Sequence, residues 1–183
     1  MEREINQYGL KSTYIENAEN VYLNVIESNL TQEQIIERFN LASVDLESYN
    51  NLFGGTYHID RYETDQLYNW ISNDLQANET PIAILAGDAG SGKSVIFKDL
   101  FNKLVSNNIP VLGIKADRLV VRNIQELNEG LELGDTIESI FISLSKLDQK
   151  FVLLVDQIDA LSQSLSSDRK PLNTYHRMIQ RLS

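Results

Sequence analysis

A chain of 183 residues and 20.8 kDa, 42% hydrophobic and 8% aromatic, has enough apolar material to bury a core and is excluded from the disordered class. Its 26 acidic against 16 basic residues, a formal charge of −10, give no strong nucleic-acid signal and exclude a broad basic face. Cysteine is absent and the only histidines are His58 and His176, which excludes disulfides, thiolate-bound zinc and thiol catalysis and argues against a His-rich metal centre.

The opening MEREINQYGL lacks the basic-then-apolar layout of a signal peptide, and no apolar run approaches the roughly 20 residues that span a bilayer. The expectation is a soluble cytoplasmic protein with no membrane contact. Residues 1–56 are polar, acidic and free of proline. Val21, Val25, Ile26 and Leu30 recur at helical spacing, as do Ile35, Ile36 and Phe39, and Thr31 with Gln34 spells a capping box for the second helix. This is a small helical N-terminal segment. Its helices are the expected surface for self-association or for a protein partner. Gly54-Gly55 then breaks the chain.

Residues 57–183 change character. Leu67, Trp70, Ile71 and Leu75 predict an amphipathic helix that Thr80-Pro81 ends. PIAILAG follows as a short apolar strand, and SVIFKDLFNKLV as a helix with Ile96, Phe97, Leu100, Phe101 and Leu104 inward. IPVLGIK reads as a second strand, introduced by Asn107-Asn108 and Pro110. Asp135 to Glu138 predicts a cap for a helix carrying Ile137, Ile140, Phe141, Leu144 and Leu147 on one face. FVLLVD is the third apolar strand. Apolar strands alternating with amphipathic helices predict an α/β fold with a parallel sheet covered on both faces.

Gly87-Asp88-Ala89-Gly90-Ser91-Gly92-Lys93-Ser94 matches G-x-x-x-x-G-K-[ST] in full, between an expected strand and an expected helix. Glycines at 87, 90 and 92 let the backbone wrap a phosphate and aim N–H groups at it. The helix that follows adds the positive end of its dipole, so the cradle is expected to run from Gly87 to Val95. Lys93 supplies a full positive charge to the β- and γ-phosphates. Ser94 offers a hydroxyl to Mg²⁺.

The strand Phe151-Val152-Leu153-Leu154-Val155-Asp156 ends in a carboxylate, where P-loop proteins carry the Walker B aspartate beside the magnesium. Asp156 and Ser94 are therefore the expected metal side of the site. Gln157 follows where hydrolysing ATPases carry a glutamate base; an amide holds a water but does not take its proton. Asp159 is open to two readings, a base near the γ-phosphate or the cap of the next helix.

The full phosphate loop, the VLLVDQIDAL strand and the segment HIDRYETDQL together resemble the STAND class of P-loop NTPases, in particular bacterial NACHT-like and AAA+-like ATPases. The resemblance covers roughly residue 56 to the end. It implies a three-layer αβα P-loop NTPase domain over 57–183 with a partial core, incomplete at its C-terminal end, so that the chain reads as an N-terminal fragment. It implies that Ile59 and Arg61, with Glu63, contribute to an adenine pocket, with Asp60 in place of the usual glycine. Asp156 and Asp159 reproduce the two acids three apart of NACHT-type proteins, while Ala160 stands where a further acid is frequent, which lowers the expected hydrolysis.

By the same resemblance the chain is an ATP-binding switch, with ATP and Mg²⁺ as ligands, ADP holding one state and ATP the other, as in bacterial defence or signalling ATPases. Hydrolysis would fall to Lys93, Asp156, Gln157 and Asp159. Two other classes stay open: a small-molecule kinase, which needs an acceptor pocket and an arginine-bearing lid, and a non-catalytic interaction module that nucleotide stabilises. The guanine-reading N-K-x-D is absent, which favours adenine. Arg169, Lys170, Arg177 and Arg181 read as a solvated helical face, or as a basic patch for a partner.

Overall fold

Thr31 opens the first helix as its spelling predicts. Its Oγ1 accepts from Gln34 N at 3.3 Å while Gln34 Oε1 accepts from Thr31 N at 2.9 Å, so two orphan donors are met at the start of α1 (Gln32–Ala42). The computed structural model describes residues 27–74, 82–147, 150–163 and 169–182. The expected helix through Val21, Val25 and Ile26 lies outside these residues, as do Leu75 and the stop at Thr80-Pro81.

α1 leads through Ser43 into a short α2 (Val44–Glu47) and a two-residue hairpin, β1 (Leu52–Phe53) against β2 (Tyr57–His58), turned by Gly54-Gly55. α3 (Tyr62–Asn69) runs on as a π turn, Trp70–Asp74, which accounts for the amphipathic helix of the sixties and seventies. α4 (Lys93–Ser106) buries Ile96, Leu100, Phe101 and Leu104, with Phe97 at the margin. β3 (Val111–Lys115) follows, then α5 (Ile124–Leu131), α6 (Ile137–Lys146), β4 (Val152–Asp156), α7 (Ile158–Gln163) and α8 (Lys170–Leu182).

β3 and β4 pair in parallel, in register from Val111 opposite Val152 to Lys115 opposite Asp156. The result is a mixed helix-and-strand fold around a small parallel sheet. Alternation divides each strand between two cores. Leu112 and Ile114 face Ile35, Phe39, Ile140 and Tyr175, from α1, α6 and α8. Val111 and Leu154 face Leu46, Ile71, Leu100 and Leu104, from α2, the π turn and α4. The described part of the N-terminal segment thus enters both cores.

That segment also closes one sheet edge. Ser43 Oγ accepts from the buried Gly113 N at 2.8 Å and donates to Phe39 O at 2.6 Å. The α1–α2 turn therefore satisfies an outward amide of β3 that would otherwise be orphaned.

Three expectations need correction. PIAILAG, described from Ile82 on, is not a strand: residues 82–88 have no ladder partner among the described residues, and Ile82 and Ile84 stand 57% and 87% exposed. An apolar run becomes a strand only where a sheet edge takes up its backbone, and here the described sheet consists of β3 and β4 alone. The helix expected to be capped from Asp135 is capped one residue later, by Thr136, whose Oγ1 accepts from Ser139 N; Asp135 Oδ1 instead accepts from Thr136 N. Leu147 is 51% exposed because α6 ends at Lys146. Missing from the sequence reading was α5, although Asn123 caps it by accepting from Glu126 N at 2.9 Å.

Candidate functional site at the glycine-rich loop

Gly87 to Ser91 form an exposed turn, closed by Ser91 N donating to Asp88 O at 3.2 Å, and Gly92 to Val95 are half-buried at the start of α4. Gly90 and Gly92 take φ of 79° and 94°, a left-handed region that a side chain resists. Gly92 caps α4 without a side chain, so the first amides of the helix are left for an outside acceptor. At Gly87 a Cβ would stand 2.9 Å from Ser91 Oγ, so a larger residue there would turn the Ser91 hydroxyl aside.

Lys93 folds back across this loop. Its Nζ donates to Gly87 O at 2.7 Å and to Asp88 O at 3.0 Å. The ammonium is held by two carbonyls of the loop that would cradle an anion, with a third N–H in reserve.

The segment before it is clamped along α4. His58 Nε2 lies 2.9 Å from Asp99 Oδ1, which also accepts from Asn51 Nδ2 at 2.7 Å, and His58 Nδ1 lies 3.1 Å from Asp60 Oδ1. The hydrogen bond to Asp99, then its charge, then Asp60, raise the His58 pKa above the ordinary histidine value. Farther along, Lys103 Nζ meets Asp65 Oδ1 at 2.6 Å and sits over the Tyr68 ring. Between these clamps Arg61 reaches the loop: a Cβ on Gly92 would stand 3.2 Å from Arg61 Nη2. Arg61 Nε is buried with no hydrogen-bond partner among the described residues. A second cation thus stands beside the loop with a donor unmet, while Ile59 is exposed nearby in sequence.

The strand-end acid behaves otherwise. Asp156 is 2% exposed, and its Oδ2 accepts from Lys115 Nζ at 3.1 Å. Lys115 is buried too, and its Nζ lies 5.1 Å from the centre of the Tyr49 ring. Gln157 takes a left-handed φ of 60°, and with its amide nitrogen turned to Asp117 it lies 2.5 and 2.6 Å from the two carboxylate oxygens. Asp159 sits exposed in the first turn of α7. Asp117 also adds to burial in pushing the Tyr175 hydroxyl pKa up; that hydroxyl donates to Leu119 O at 2.7 Å.

Arg61 and Lys93 are therefore brought to one loop, whereas Asp156, Gln157 and Asp159 are directed to three different environments. Sequence reading missed Lys115, Asp117 and Tyr49. Lys115 had left a signal, a charge closing an otherwise apolar strand. Two shallow concavities, one by Phe141 and Phe151 and one by Phe39 and Pro110, include no residue of the loop. Arg169, Lys170, Arg177 and Arg181 are exposed at α8, with Arg181 Nη1 3.1 Å from Glu138 Oε1.

No helix among the described residues is long and apolar enough to cross a membrane. Comparison with protein-family models, with curated proteins and with solved structures returned no match.

Proposed function

We propose that the chain is an ATP-binding P-loop module of the STAND and AAA+ kind that holds its nucleotide as a switch rather than turning it over. One observation carries the reading: Lys93 lies across the Gly87–Asp88 carbonyls at the start of an uncapped helix, with the Arg61 guanidinium against Gly92. Two cations, free helix-start amides and left-handed glycines at one loop suit a chain of phosphates. The unpartnered Arg61 Nε supports the same fit, since a buried donor is costly until an acceptor arrives.

ATP would be held by the loop from Gly87 to Val95 with Lys93 and Arg61, and would supply the charge that those donors await. Magnesium fits less well. Ser94 is a half-buried hydroxyl of the kind that ligates it, but Asp156 is buried and occupied by Lys115. No step is assigned to the ion. A switch is favoured over an enzyme because Gln157 is tied to Asp117 and Asp159 lies exposed on α7, which leaves neither of them poised as base.

Equilibrium dialysis of ATP, ADP and GTP against the full chain tests this. The expectation is one saturable adenine-nucleotide site that Lys93→Ala abolishes, with GTP weaker. Absence of saturable binding, or equal binding by Lys93→Ala, overturns it.

A further inference from the structure

The Lys115–Asp156 pair stands where its position bears on the charge of the nucleotide site. The two residues are in register at the C-terminal ends of parallel strands, on the face shared with Val111 and Leu154. α4 packs on that face and runs against the strands, because its last turn meets the start of β3 through Ile109 N donating to Leu104 O at 3.0 Å. Fourteen helical residues rise about 21 Å and five extended ones about 16 Å, so the first turns of α4 stand over the strand ends. Tyr49 makes the link directly: its ring lies by Lys115 Nζ while its carbonyl accepts from Lys98 Nζ, in the second turn of α4, at 2.6 Å.

A bare carboxylate at that place would repel a triphosphate unless a divalent ion bridged the two. Here the carboxylate is already neutralised. We propose that Lys115 is the resident cation of this nucleotide site, pairing with Asp156 so that the triphosphate binds without a divalent metal. The proposal rests on nucleotide binding at the Gly87–Val95 loop.

The test is calorimetric titration of ATP into the full chain, wild type and Lys115→Met, each in excess Mg²⁺ and in excess EDTA. Wild type is expected to give dissociation constants within about threefold of each other in the two buffers. Lys115→Met is expected to weaken by more than about tenfold in EDTA and to recover in Mg²⁺, as a freed Asp156 becomes a metal ligand. Should Lys115→Met fail to fold, the wild-type pair of titrations decides alone. Wild-type binding that requires Mg²⁺ overturns the proposal and leaves the nucleotide site standing, as does Lys115→Met binding unchanged in EDTA. Absence of wild-type binding in both buffers overturns the nucleotide reading itself, and this inference with it.

Discussion

The guanidinium of Arg61 lies against the backbone of Gly92, so close that a Cβ there would stand 3.2 Å from Nη2. Gly92→Ala meets two penalties, the guanidinium and a φ of 94°. A left-handed non-glycine residue costs about 1–2 kcal/mol, which in a chain of this size lowers the melting temperature by roughly 2–8 °C. Differential scanning calorimetry checks this.

Arg61→Leu separates stability from binding. Removing a buried, unpartnered Nε should leave the ligand-free melting temperature within about 2 °C of wild type or raise it, because an unmet donor destabilises. The same change removes a charged donor and should weaken ATP binding about tenfold. Parallel melting and titration of the one variant measure both.

Ser43 is predicted to be worth more than its size. Ser43→Ala strands the buried Gly113 amide, at a cost of about 1–3 kcal/mol. Urea unfolding should show a lower midpoint with an unchanged slope. An unchanged midpoint would mean that the edge of β3 is satisfied another way.

Gly113 carries a second test on the same strand. A Cβ there would stand 2.5 Å from Leu46 Cδ2, so Gly113→Ala should destabilise by about 1–3 kcal/mol through overpacking. Leu46→Ala creates space at that point. The double variant should therefore be more stable than the sum of the two single losses, a coupling that a double-mutant cycle reads directly.

His58 links stability to pH. Its folded pKa is raised by Asp99 first and Asp60 second, so its pairing stabilises fully below the unfolded value of about 6.5 and fades as pH rises through the raised folded value. The melting-temperature difference between wild type and His58→Gln should be largest in mildly acidic buffer and should shrink in alkaline buffer. A difference independent of pH would show that the ring acts only as a neutral hydrogen-bonding group.

What was legible in the sequence was local. Thr31 and Gln34 spell their capping box, and Ile96, Leu100 and Leu104 their buried helix face, because both signals lie within a few turns. The glycine-rich loop was legible for the same reason. Asn123 and Glu126 carried a similar signal for α5 that went unread. Ile82 and Ile84 misled because apolarity reports what a segment would bury, not whether a neighbouring edge receives it. Lys115 and Asp156 are 41 residues apart and Gln157 and Asp117 forty, so only the register of β3 with β4 and the turns beyond it reveals those pairings.

Nucleotide binding at the Gly87–Val95 loop with Lys93 is tested by thermal unfolding of the full chain with and without ATP, beside Lys93→Ala. Ligand at about a hundredfold over its dissociation constant adds about 2.7 kcal/mol, a rise of roughly 5–10 °C for a domain of this size. That rise is expected in wild type and not in Lys93→Ala. A cooperatively folded wild type that does not shift, or an equal shift in both proteins, would contradict it.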